Sequence, residues 1–107
     1  MGKDFSILGL FDLYGPTLSD RQNEVLKSYY EYDLSLGEIA DNLGVSRQAV
    51  MDALRKGTDA LKSAEKKLGF YQRIQNWNRQ AAAVQAAVGE GRAADAAALL
   101  ETMRSER

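Results

Sequence analysis

The 107-residue chain has no histidine and no cysteine, and only one proline and one tryptophan. Without imidazole or thiolate it cannot build the usual zinc sites, thiol nucleophiles or histidine-dependent triads. No pair of carboxylates stands at a spacing that suggests acid–base work, so the sequence predicts a protein that is not an enzyme. No catalytic residue, metal or cofactor is expected. The missing cysteine fits a reducing compartment, and the start Met1-Gly2-Lys3-Asp4-Phe5-Ser6 lacks the long apolar core of an export signal. A cytoplasmic location is expected. No window of about 18 consecutive apolar residues occurs, the run from Ala81 to Val88 being short and broken by Gln85, so no membrane insertion is expected.

Strand signals are missing too. No run of alternating β-branched residues appears, while apolar residues recur at helical spacing, which predicts an all-α fold. A first helix is expected over Asp4–Tyr14, with Ile7, Leu10, Phe11 and Tyr14 on one face and Gly15-Pro16 ending it. Ser19 with Gln22 three residues on forms a capping box for a second helix that buries Val25, Leu26 and Tyr29 and stops near Asp33. Ser35 caps a short third helix, Leu36–Asn42, with Glu38 in its first turn.

Leu36 to Arg55 carries the residue pattern of a helix-turn-helix. Such a unit needs a small residue where its helices touch, a turn residue that tolerates positive φ, and apolar residues that lock the pair onto a third helix. Ala40, Gly44 and the set Ile39, Leu43, Val45 and Val50 fill these places. Ser46 caps the fourth helix, which is expected to turn Ala49, Val50, Ala53 and Leu54 inward and Arg47, Gln48, Met51, Asp52 and Arg55 outward. Ser46, Arg47, Gln48, Met51, Arg55 and Lys56 are therefore the candidate nucleic-acid-binding residues. Arg reads guanine and Gln reads adenine in the major groove, and Arg55 and Lys56 suit phosphates.

Charge argues the other way. The chain has a formal net charge of −1; Ser19–Gly57 holds five basic and seven acidic residues, and Thr58–Arg107 eight basic and six acidic. Glu31, Asp33, Asp41 and Asp52 surround the motif and repel the phosphate backbone whose neutralisation supplies most non-specific affinity.

Beyond the motif, Gly57 leaves the fourth helix either continuous or broken, since glycine costs a helix roughly 1 kcal/mol relative to alanine. Leu61, Ala64, Leu68, Tyr71, Ile74 and Trp77, then Ala81, Val84 and Val88, form one stripe as far as the turn Gly89-Glu90-Gly91, which lacks the length and lysine of a phosphate loop. A last helix is expected over Arg92–Met103. Half of the twenty residues from Ala81 to Leu100 are alanine; they favour helix but offer little apolar area. The expected organisation is a helix-turn-helix domain over 1–70 and an Ala-rich helical extension over 71–107 that packs on the domain or on a partner. A homodimer through the C-terminal helices is one such arrangement. The tyrosines Tyr29, Tyr30 and Tyr32 are read as packing residues, and the tail lysines Lys62, Lys66 and Lys67 as a solvated face.

Leu10-Phe11-Asp12-Leu13-Tyr14-Gly15, Leu18-Ser19-Asp20-Arg21-Gln22, the stretch Tyr29 to Ala40, Val45-Ser46-Arg47-Gln48-Ala49-Val50 and Lys67-Leu68-Gly69-Phe70-Tyr71 together resemble the YlxM family of small bacterial helix-turn-helix proteins. The likeness covers about two thirds of the chain, and the Ala-rich end after Trp77 departs from it. The resemblance implies a fold like region 4 of bacterial sigma factors. It also implies a regulatory or accessory role in the signal recognition particle pathway, whose genes commonly neighbour the family's. Implied partners are a particle protein or RNA; sequence-specific DNA binding as a transcriptional regulator is the alternative. The family brings no catalytic residues to carry over.

Overall fold

The structure, a computed structural model, describes Asp4 and residues 6–105. Among these every regular element is helical. In order they are α1 (Ser6–Tyr14), a 3₁₀ turn (Gly15–Thr17), α2 (Asp20–Leu26), a π-helical turn (Lys27–Glu31), α3 (Leu36–Leu43), α4 (Arg47–Leu68), α5 (Phe70–Gly89) and α6 (Ala93–Ser105). The chain forms two compact units that meet in sequence at Gly69 and Phe70.

In the first unit α4 is the spine against which α1, α2 and α3 pack. Val25, Ile39, Ala40 and Val50 form a buried cluster, ringed by Tyr29, Leu34, Leu36, Leu43, Val45, Ala53 and Leu54. Ile7, Leu10, Tyr14, Leu26 and Leu61 are buried as well. At roughly 1.5–3 kcal/mol for each fully buried aliphatic side chain, this packing dominates the unit's stability. The Tyr14 hydroxyl donates to Glu65 Oε1 at 2.6 Å, tying the end of α1 to the last turns of α4.

The helix starts follow local chemistry. Ser19 Oγ accepts from the Gln22 N–H at 3.1 Å while the Gln22 side chain accepts from the Ser19 N–H at 3.1 Å, a complete capping box. Ser35 and Glu38 form a second one, at 3.0 and 3.1 Å. The bond from the Ser35 backbone N–H, followed by that from its hydroxyl, holds the Glu38 carboxyl below its ordinary value.

Several expectations are corrected. α1 begins at Ser6 rather than Asp4, because the Asp4 carboxylate accepts from the Ser6 N–H at 3.1 Å and from its hydroxyl at 2.6 Å, a local bond that holds Asp4 just ahead of the helix. Phe11 is only half-buried on the α1 face. The second helix does not run as α-helix to Asp33: after Leu26 it widens into the π turn, with the Tyr32 N–H donating to the Lys27 carbonyl at 3.2 Å, and Asp33 takes a positive φ of 56°. Ala49 is exposed rather than inward. The buried line of α4 runs Val50, Gly57, Leu61, and Ala49 lies about 100° around the helix from Val50.

Gly57 does not break α4. A Cβ built there would stand 2.6 Å from Leu26 Cδ1 and 3.5 Å from Gln22 Cβ, so the glycine is where α2 comes closest to the spine. The break falls at Gly69 instead, in the left-handed conformation (φ 65°). The stripe expected across this point is thereby divided, and Leu68, Phe70, Ile74 and Trp77 are exposed.

The second unit is the α5–α6 pair. The Arg92 N–H donates to the Ala87 carbonyl at 2.8 Å and the Gly91 N–H to Val88 at 3.1 Å, a Schellman closure around Gly91 (φ 75°). Ala87 and Ala96 are the buried residues where the two helices meet. The last helix runs Ala93–Ser105, one residue later at its start and two at its end than expected.

Two outcomes are expected. Gly57→Ala lowers stability by about 1 kcal/mol in urea unfolding, because overpacking against the fully buried Leu26 outweighs the gain in helix propensity; a stabilised variant would show that Leu26 yields freely. The Glu38 carboxyl, followed by NMR, titrates below the ordinary glutamate range and returns toward it in Ser35→Ala. Since its folded value is the depressed one, the box contributes fully at neutral pH and is lost as pH falls through that lowered value.

Candidate functional site

The turn between α3 and α4 closes on backbone bonds. The Val45 N–H donates to the Ala40 carbonyl at 3.1 Å and the Gly44 N–H to Asp41 at 3.4 Å, with Gly44 at φ 67°. A side chain in that left-handed conformation would cost about 1 kcal/mol or more, which explains the glycine. Ala40 is buried at the crossing, so α3 lies close on α4, and Val45 tucks into the cluster that α3 and α4 share.

Ser46 then starts α4, its hydroxyl accepting from the Ala49 N–H at 3.0 Å. Its side-chain oxygen thus serves the helix end first. Arg47 and Gln48 follow in the first turn, both exposed, beside the positive end of the helix dipole. Met51 is 46% exposed and Lys56 is exposed. All six sequence-predicted residues are exposed; Gln48, Met51 and Arg55 lie together on one side of α4, while Arg47 and Lys56 stand on opposite flanks of the helix.

One carboxylate organises this face. Asp52 Oδ1 accepts from Gln48 Nε2 at 3.2 Å and from Arg55 Nη2 at 3.4 Å, drawing a side chain suited to a base together with one suited to a phosphate. With Arg55 and Asp52 side chains 69% and 44% exposed, the ion pair is a surface one of small energy. Its effect is on charge: Leu36 to Lys56 presents Arg47, Arg55 and Lys56 against Glu38, Asp41 and Asp52, three of each sign.

Beside Met51 and Arg55 lies an open groove of about 380 Å³, lined also by Asp4, Tyr29, Tyr30, Leu36, Leu54 and Thr58. Tyr29 and Tyr30 meet edge to face with ring centres 5.1 Å apart, and burial, then Tyr29 and Asp4, push the Tyr30 hydroxyl above its ordinary value. The groove escapes sequence reasoning because its walls come from the π turn, α3 and α4 together. No local periodicity marks it. Lys66 and Lys67 occupy the last turn of α4, where cations favour the negative end of the helix dipole.

Among the described residues no group of three or more His, Cys, Asp or Glu is arranged to hold a metal ion, and no helix is long and apolar enough to cross a membrane.

A family model described as "UPF0122: Putative helix-turn-helix protein, YlxM / p13 like" matches residues 1–93. The match extends through all of α5, past Trp77. The chain is similar to a UPF0122 protein of Limosilactobacillus reuteri, 44% identical over 94 residues, which is 88% of this chain and 83% of the relative. It is also similar to one from Symbiobacterium thermophilum, 42% identical over 97 residues and 91% of each chain. A third, from Caldanaerobacter subterraneus subsp. tengcongensis, is 45% identical over 76 residues, 70% of this chain and 65% of the relative.

Ser46→Ala is expected to cost about 1 kcal/mol of unfolding free energy through loss of the cap, and Ser46→Asp to retain most of it. Equal loss in both variants would show that the hydroxyl acts elsewhere.

Proposed function

This chain belongs to the UPF0122, YlxM/p13-like helix-turn-helix family, and from that premise we propose that it is a regulatory or accessory protein that docks through the open side of α4, acting in the signal recognition particle pathway. The observation that carries a docking role is the Asp52 clamp, which holds Gln48 and Arg55 on one carboxylate oxygen and leaves the α3–α4 face with balanced charge. A helix whose affinity came from phosphates would gain from the removal of that carboxylate. A balanced face with Met51 exposed beside a tyrosine-lined groove suits a partner surface that is partly apolar. The pathway itself is supported by the family resemblance alone.

A pull-down with the particle's GTPase, its receptor and its RNA tests this reading. Retention of one of the three is expected, weakened at least about tenfold by Met51→Glu. Retention of none overturns it. The second reading, sequence-specific DNA binding in the cytoplasm, is favoured by Arg47, exposed at the positive end of α4. It requires affinity for a duplex that falls steeply with salt and drops by about 1–3 kcal/mol in Arg47→Ala. Salt-insensitive or absent binding to genomic fragments removes it.

A further inference from the structure

Resting on the docking role of α4 given above, we propose that Asp52 is the specificity-determining residue of that face: its carboxylate keeps the phosphate backbone of a duplex off Arg55. A duplex is thereby excluded from a surface that accepts another partner. Gln48 and Arg55 stand seven residues apart, nearly two full turns, so they fall within about 20° of each other around α4. Asp52 sits beside that line, four residues after Gln48 and three before Arg55, and both of its hydrogen bonds fall on Oδ1, at 3.2 and 3.4 Å. With its side chain 44% exposed, the carboxylate stands at the surface that a ligand meets.

Distance makes the exclusion local. A phosphate oxygen bonded to Arg55 Nη2 at about 2.8 Å would stand within about 6 Å of Asp52 Oδ1, inside the Debye length of about 8 Å at physiological salt. Like charges brought that close oppose association and suppress the wrong partner. The cation that would offset the repulsion is already shared with the carboxylate. Other acidic groups near the motif are placed differently. Glu38 is committed to Ser35 at the start of α3, and Asp41 lies exposed on α3. Asp59 is exposed on the same side of α4, four residues beyond Arg55, and among the described residues it bonds to neither Gln48 nor Arg55. A protein surface meets Asp52 on other terms, since a lysine, an arginine or a backbone N–H can donate to it. The face therefore selects its partner by charge at one position.

Binding of a fluorescent random-sequence DNA duplex to the full chain, followed by anisotropy from about 50 mM salt upward, tests this. Asp52→Ala should tighten binding at least about fivefold at the lowest salt, and the gain should shrink as salt rises. Asp59→Ala removes the same charge without touching Gln48 or Arg55, and should tighten binding by less than about twofold. In an Arg55→Ala background, Asp52→Ala should gain no more than Asp59→Ala does. Alanine is the best helix former, so circular dichroism and urea unfolding should find every variant as well folded as the parent. Unchanged duplex affinity in Asp52→Ala, an equal gain from Asp59→Ala, or a gain that survives the loss of Arg55 would each overturn the proposal. Because the probe is a plain duplex, these failures are distinct from failure of the pull-down, which bears on docking itself.

Discussion

The first unit depends on one close approach, that of α2 to α4 at Gly57. A Cβ at that position would stand 2.6 Å from Leu26 Cδ1, the end of a fully buried side chain. The glycine lets α2 lie deep on the spine, which brings Val25 into the same cluster as Ile39, Ala40 and Val50. α3 is thereby fixed on both sides, by α2 and by α4. The orientation of α4's outer face follows: once Val50, Gly57 and Leu61 are turned inward, Met51 and Arg55 turn outward.

Electrostatics then shapes what that face can do. Its charged groups are exposed and each pairwise energy is small, yet their arrangement is not neutral in consequence. Asp52 Oδ1 accepts from both Gln48 and Arg55, so these two side chains share one acceptor. Any ligand must compete for them. Meanwhile the capping boxes of α2 and α3 use their polar side chains on backbone N–H groups, and Ser46 does the same for α4. Of the polar groups near the motif, several are thus committed to the fold, while Arg47 and Lys56 are exposed.

Much of this could be read in the chain before its structure. Ser19 with Gln22, the Ser35 cap, Gly44 and the Ser46 cap are interactions between residues no more than five apart, so the local sequence contains both partners. The π turn after Leu26 was not legible, because α and π hydrogen bonding differ by one residue in register and draw on the same side chains. Nor was the outward turn of Ala49, which depends on where along α4 the other helices rest. The groove beside Met51 needs three elements to exist at all.

Glycine shows the division most clearly. By itself the sequence determined that this chain is all-α, where its helices are capped, and that Gly44 closes a helix-turn-helix, since each follows from local hydrogen bonding and backbone sterics. It could not say what Gly57 and Gly69 do, for both stand in apolar stripes of the same period. Only the tertiary structure decided that the first is a contact and the second a break, because one meets a buried leucine from a distant helix and the other adopts a positive φ with open space around it.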